Sequence, residues 1–231
     1  MTPPTVDSRD DYQALAQAVR ANPKRFAFLG GGGSLNPMLH RYRDAAAVDD
    51  AVKRQSEQTA EAIVASGALG FGEIAVVHAS LMPAHPFEEV NADHPLLLLL
   101  SDIAARRNVV IDLHLDLVAE PTAPRGRLAA GANPPQFKPN LDAFERLLSH
   151  NAAARIVWAH AGSDFIGHWT VQRSRALLSA HPNLYMSLRL GGGLPPNQPM
   201  QDGKKKGSSL STAGLCAGQH VTGGHRGGNR L

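Results

Sequence analysis

Glu73, His114 and His160 have the residue types that hold a divalent metal. A metal that activates water is bound by imidazole nitrogens and carboxylates, with one coordination position left open. His114 closes the apolar run V-V-I-D-L-H, and His160 stands near the end of R-I-V-W-A-H-A-G. Glu73 lies inside a third such run, G-F-G-E-I-A-V-V. A carboxylate among buried apolar neighbours is costly unless it is paired or ligates a metal. The competing reading of Glu73 is a salt bridge to a nearby Arg or Lys. A single strand-end histidine is more often a core residue satisfied by hydrogen bonds. Two of them, with a carboxylate on a third run, favour the metal. Asp116, two residues beyond His114, is placed to hold that ligand from behind. Asp164 and His168, shortly after His160, are catalytic candidates for orienting ligands or touching substrate.

The elements that must position these residues alternate in type. Helical spacing of apolar residues marks Asp10–Asn22, ended by Asn22-Pro23. Phe26–Leu29 reads as a short strand running into a loop at Gly30–Pro37. Helices follow at Ala45–Ser66, Leu96–Arg107, Leu141–His150 and Val171–Ala180, and strands at Gly70–Val77, Val109–His114, Arg155–Ala159 and Leu184–Leu188. Strand and helix in strict alternation predict a parallel sheet with right-handed crossovers, an α/β fold. Ligands of such sheets bind at the carboxyl ends of the strands, where both histidines fall. Two long connections remain. Residues 78–95 carry His78, His85 and His94, and Ala119–Asn140 is long enough to form the rim of a site.

The Gly30–Gly33 stretch invites a phosphate-binding reading, which fails. Leu35 and Asn36 stand where G-x-G-x-x-G needs glycine, the P-loop lysine is missing, and Asn36 also breaks G-x-S-x-G around Ser34.

With 231 residues and 43% hydrophobic composition, the chain can bury one sizeable core. The net charge of +3 is unevenly placed. Beyond Gly191, Lys204, Lys205, Lys206, Arg226 and Arg230 face only Asp202, so the preceding residues are slightly acidic. The basic balance is therefore no argument for nucleic-acid binding by the folded part. Residues 191–231 are rich in Gly, Ser and Lys without apolar periodicity, and are expected to be a disordered tail beside an ordered domain of residues 1–190. One cysteine, Cys216, excludes an intrachain disulfide and a thiolate metal cluster. Leu96–Leu100 is far too short to span a membrane. No signal peptide is visible, which predicts a cytoplasmic location.

The runs Gly70–Ile74, Val109–His114 and Arg155–Gly162, with H-P-N-L-Y-M-S-L at His181–Leu188, resemble the amidohydrolase superfamily, in its amidohydrolase-related branch. The resemblance covers roughly residues 25–190. It implies a (β/α)8 TIM barrel and metal-dependent hydrolysis, with some decarboxylases among its members. His114 and His160 match that family's metal histidines on its fifth and sixth strands, and Glu73 resembles the carboxylate ligand of its fourth. The family opens with H-x-H on the first strand, and this chain has no H-x-H. The family's late-strand Asp, commonly the base for the attacking water, has no counterpart except Asp202 in an unsuitable setting.

The sequence therefore predicts a partial barrel of about five strands, the middle of such an enzyme. Its expected function is hydrolysis of an amide, ester or lactone carbonyl in a small-molecule substrate, with a divalent metal, zinc by expectation. Weak activity is expected, since the H-x-H pair and the late Asp are missing. The alternatives are a non-catalytic fragment or binding subunit, and a decarboxylase of the same fold. No nucleic acid or membrane partner is expected. An open sheet leaves unpaired edges that favour pairing with another chain, including a homo-oligomer.

Overall fold

The structure, a computed structural model, describes residues 13–82, 86–161 and 164–188. The expected disorder of residues 191–231 concerns residues outside that range, as does His85.

Among the described residues, six helices and six strands follow one another as α1 (Gln13–Ala21), β1 (Gly30–Gly31), α2 (Leu35–Arg41), α3 (Asp50–Ala65), β2 (Gly70–His78), β3 (Glu88–Glu89), α4 (Pro95–Arg107), β4 (Val110–Leu115), α5 (Leu141–His150), β5 (Arg155–Ala161), α6 (Val171–Ala180) and β6 (Leu184–Leu188). They form one sheet in the order β1-β2-β4-β5-β6, and every pairing along this path is parallel. The short β3 pairs antiparallel with the end of β2. The expected α/β class and parallel sheet are present. Several details differ from the sequence reading: Phe26–Leu29, read as a strand, lies outside any strand, and the connection read at residues 78–95 holds β3. The loop expected at Gly30–Pro37 holds the pairing residues of β1 and the start of helix α2, and the long helix begins at Asp50. Ala45–Ala47 instead form a 3-10 turn. Asp49 stops the longer helix by accepting a bond from Val52 N at 2.8 Å, a preferred N-cap arrangement.

Burial alternates along β4. Ile111, Leu113 and Leu115 are buried, whereas Val110, Asp112 and His114 on the other face are half-buried. The buried set joins Phe71, Ile74, Ile156 and Trp158 in a core with Ile63 of α3, Leu100 and Ile103 of α4, and Phe144 and Leu147 of α5. Trp158 is the centre of its outer end. It stacks on Trp169 with ring centroids 4.0 Å apart, meets Phe144 edge-on, and donates from Nε1 to Leu115 O at 3.0 Å. Along β4 one face is thus covered by helices and the other is half-buried and carries the polar residues Asp112 and His114.

Helix α4 shows how the local sequence fixes its element. His94 caps it with Nδ1, Pro95 opens the first turn, and Asn108 closes it in the left-handed conformation at φ 54°. Arg106 and Arg107 pair with Glu57 and Glu61 of α3 on the surface. Such exposed pairs contribute little, so the buried leucines do most of the holding. The connection from 119 to 140 is ordered: Gly126–Ala130 is a 3-10 turn, Thr122 bridges Phe137, and Val118, Leu128 and Phe137 form a small core with Ala79. Among the described residues, no helix is long and apolar enough to cross a membrane.

Candidate metal centre

Glu73, His114 and His160 converge. His114 Nδ1 lies 2.6 Å from Glu73 Oε1, and His160 Nε2 lies 3.1 and 3.2 Å from the two Glu73 oxygens. The imidazole rings of His114 and His160 stand edge to face at 5.2 Å. His114 and His160 are each the last residue but one of their strands, at the carboxyl end, as the sequence predicts. Glu73 is placed differently, fourth in a nine-residue strand.

The reason Glu73 still meets the histidines is a pair of strand irregularities. Phe71 and Ile74 of β2 pair with Ile111 and Leu113 of β4, so β2 carries one extra residue beside Asp112. A bulge of this kind bends a strand and re-aims a side chain. Likewise, Trp158 and Ala161 of β5 pair with Met186 and Leu188 of β6, with one extra residue between them. His160 lies there at φ 64°, a conformation few non-glycine residues adopt. Its amide donates to Ser187 Oγ at 3.2 Å. Both flanking members of the cluster therefore sit at bulges, and His114 stands between them on β4, opposite a second register shift of β2 between Ala75 and Val77.

The glycines of G-F-G-E-I permit this approach. A Cβ on Gly70 would lie 2.1 Å from Val110 O, and one on Gly72 would lie 2.7 Å from Asp112 Cβ. Neither position has room for a side chain.

The cluster is electrostatically coupled. Burial raises the Glu73 carboxyl, but hydrogen bonds from His114 and His160 outweigh it and hold the group well below the usual carboxylate range. Burial disfavours the charged form of His114, yet the Asp116 and Glu73 carboxylates win and push it up to about 9. Asp112, on the same face, is pushed up to about 6 by burial and then by the Glu73 charge.

Asp116, read from the sequence as a residue behind His114, lies beside it without a hydrogen bond. Its Oδ2 is 3.7 Å from His114 Nε2, a buried nitrogen with no hydrogen-bond partner of its own. The same Oδ2 accepts from Ala79 N at 2.7 Å, and Asp116 N donates to Val77 O. Asn140, buried at the start of α5, donates from Nδ2 to Asp116 O and accepts from Val118 N. The exits of β2 and β4 are thus tied together around Asp116. His78, at the end of β2, packs its ring 4.6 Å from that of His114.

Asp164 and His168 are not part of this group. The Asp164 carboxylate accepts from the backbone of Gly167, His168 and Trp169, which makes it the organiser of a tight loop. His168 accepts from Ala119 N at Nδ1 and lies 3.3 Å from Thr122 Oγ1 through Nε2. It lines a cavity of about 330 Å³ with Arg125, Phe137 and Phe165.

The donor set fits a divalent ion. One ligand atom from each of Glu73, His114 and His160 lies within 4.8 Å of the others. Tetrahedral bonds of roughly 2.0–2.1 Å put ligand atoms about 3.3 Å apart. The His160 contacts with Glu73 already have that spacing, and the 2.6 Å contact between Glu73 and His114 must open. The inward nitrogen of His114 is then Nδ1, which leaves its Nε2 proton facing Asp116, the carboxylate–histidine arrangement common behind metal ligands.

Sequence reasoning missed Asn36. This buried side chain donates to Glu73 O at 2.8 Å and accepts from Ala75 N at 3.0 Å. The available signal was a polar residue beside the core leucines Leu35 and Leu39. Comparison with family models, curated proteins and solved structures gives no match for this chain.

Proposed function

We propose that the chain is a metal-dependent hydrolase of the amidohydrolase type, acting on an amide, ester or lactone carbonyl of a small molecule, with zinc as the ion. The observation that carries this reading is the meeting of Glu73, His114 and His160 at neighbouring parallel strands, with the Asp116 carboxylate behind His114. The strand order adds support. Each long parallel strand lies beside its predecessor in sequence, with one face of β4 covered by helices. A (β/α)8 barrel is wound in that way, whereas a doubly wound sheet reverses its order.

A divalent ion held there supplies Lewis acidity, which polarises a carbonyl and makes water more acidic. The protein's own part is preorganisation. Glu73 brings negative charge to His114 and His160, and the packed loop at 119–140 adjoins the strand end that carries His114. Asp116 places a carboxylate 3.7 Å from the outer nitrogen of His114, and Asn140 holds the Asp116 backbone.

The absence of an H-x-H pair favours a second reading, in which the chain holds metal without turnover. One experiment separates the two. The purified full chain is assayed for zinc content and for hydrolysis of p-nitrophenyl acetate and a simple lactone, with and without chelator. Stoichiometric zinc with chelator-sensitive hydrolysis supports the hydrolase. Stoichiometric zinc without hydrolysis supports the second reading. A chain that takes up no zinc refutes both.

A further inference from the structure

Strand β1 supports β2 only as far as Gly72: its two pairs are Gly30 with Phe71 and Gly31 with Gly72. Glu73 is the next residue. From there, helix α2 takes over the role of a neighbouring strand. Asn36 Nδ2 donates to Glu73 O at 2.8 Å, and Asn36 Oδ1 accepts from Ala75 N at 3.0 Å. One turn later on the same helix, His40 Nε2 bonds Ala75 O at 2.9 Å. On the other side of β2, the bulge between Phe71 and Ile74 interrupts regular pairing with β4. The backbone at Glu73 thus lies between a strand that has ended and a ladder that is broken. Buried amides and carbonyls need partners, and here a side-chain amide supplies them.

We infer that Asn36 is a positioning residue for the metal centre: it holds the Glu73–Ala75 backbone in the bulged form that aims the Glu73 carboxylate at His114 and His160. The inference rests on the metal-centre reading above. The chemistry calls for an amide. Asn presents a donor and an acceptor together, Asp presents acceptors alone, and Leu has neither. In the Asn36→Asp variant the bond to Ala75 N survives, and a carboxylate faces the Glu73 carbonyl in place of the donor. Glu73 then loses its backbone anchor while the rest of the helix contact stays.

Asn183 provides a comparison for a purely structural role. It is buried just before β6, at the opposite end of the sheet, where its Nδ2 donates to Leu148 O and Ala154 O. Asn183→Leu should lower stability without touching the metal centre.

The test is cobalt(II) titration of the full chain, followed by the visible absorption of the bound ion, with urea unfolding of each metal-free protein alongside. The wild type, Asn36→Asp, Asn36→Leu and Asn183→Leu are compared. The expected result is at least about tenfold weaker cobalt binding and an altered spectrum in both Asn36 variants, the scale seen when a group behind a metal ligand is lost. Asn36→Asp should still unfold cooperatively, and Asn183→Leu should be less stable but bind cobalt like the wild type. A wild type that binds cobalt with Asn36→Asp matching it overturns the role of Asn36 alone. Loss of folding in both Asn36 variants also overturns it, because the residue would then support the fold rather than aim one side chain. Absence of cobalt binding by the wild type overturns the metal centre itself.

Discussion

His160 Nε2 stands 3.1 Å from Glu73 Oε1 although strand β4 lies between the strands that carry them. On a regular sheet, side chains two strands apart are separated by nearly 10 Å, twice the strand spacing. The contact exists because each residue sits at a bulge, and His160 adopts φ 64° to reach inward. Residues held in this region persist where the surroundings over-determine them, and such residues cluster at functional sites.

That backbone conformation makes a prediction separable from the ring. His160→Gly and His160→Ala both remove the imidazole, so both should abolish metal binding. Only glycine accepts the left-handed conformation freely. The glycine variant should therefore be more stable than the alanine variant by about 1–2 kcal/mol, read from urea midpoints. Equal midpoints would mean that residue 160 does not hold a positive φ in solution.

The close approach of β2 to β4 is testable at Gly70. A methyl group there meets the carbonyl oxygen of Val110, which belongs to backbone and cannot swing aside. Gly70→Ala should cost at least about 1–3 kcal/mol, as overpacking of a tight interior does. Gly67→Ala is the comparison, since a methyl group at that positive-φ turn meets nothing within 4 Å. Its cost should be limited to backbone strain. If Gly70→Ala proves as mild as Gly67→Ala, the two strands are not packed at this distance.

His94 predicts a pH dependence. Burial lowers its pKa, and this outweighs the bond to Tyr42 O and the nearby Asp93 charge. Its Nε2 lies 2.9 Å from Tyr42 O and its Nδ1 accepts from Leu96 N, a pattern that suits the neutral ring. Below the ordinary histidine value of 6.5, the unfolded chain takes up a proton that the folded chain resists. The unfolded state then binds more protons, so this contribution to stability is full above that value and falls as pH drops toward the lowered folded value. The substitution His94→Asn keeps a preferred capping side chain and removes the titration. That variant should therefore lose less stability than the wild type between about pH 7.5 and pH 5. Denaturant titrations at several pH values measure it, and parallel curves for the two proteins would remove His94 as the cause.

Much of this architecture is legible in the residues alone. Apolar runs at Val109–His114 and Arg155–Ala159 mark parallel strands, and His114 and His160 fall at their ends as the pattern predicts, although a run this apolar suits burial on both faces and β4 is buried on one. The position of Glu73 was readable as a buried carboxylate in need of partners. Its route to them was not, because a bulge depends on how two strands settle against each other and leaves no period in either. The same holds for Asn36, whose role is defined by residues 73 and 75. Those lie far along the chain and come near only after α2 docks. Asp164 shows what sequence separation alone leaves out. Its nearness in sequence to His160 suggested a shared site, but its carboxylate is taken up by the backbone amides of its own loop.

Asp116 offers a direct test of how the centre is oriented. Its carboxylate faces the outer nitrogen of His114 at 3.7 Å while accepting from Ala79 N at 2.7 Å. In Asp116→Asn, the side-chain oxygen can still accept from Ala79 N, so the loop geometry is kept. What disappears is the negative charge facing His114 Nε2, which favours a proton there and leaves Nδ1 free to hold an ion. Zinc affinity should fall by about 10–100-fold, with little change in the stability of the metal-free chain. Competition with a chromophoric chelator measures the first quantity and urea unfolding the second. Unchanged zinc affinity would show that Asp116 serves the loop alone, and that His114 is oriented by its packing against His78.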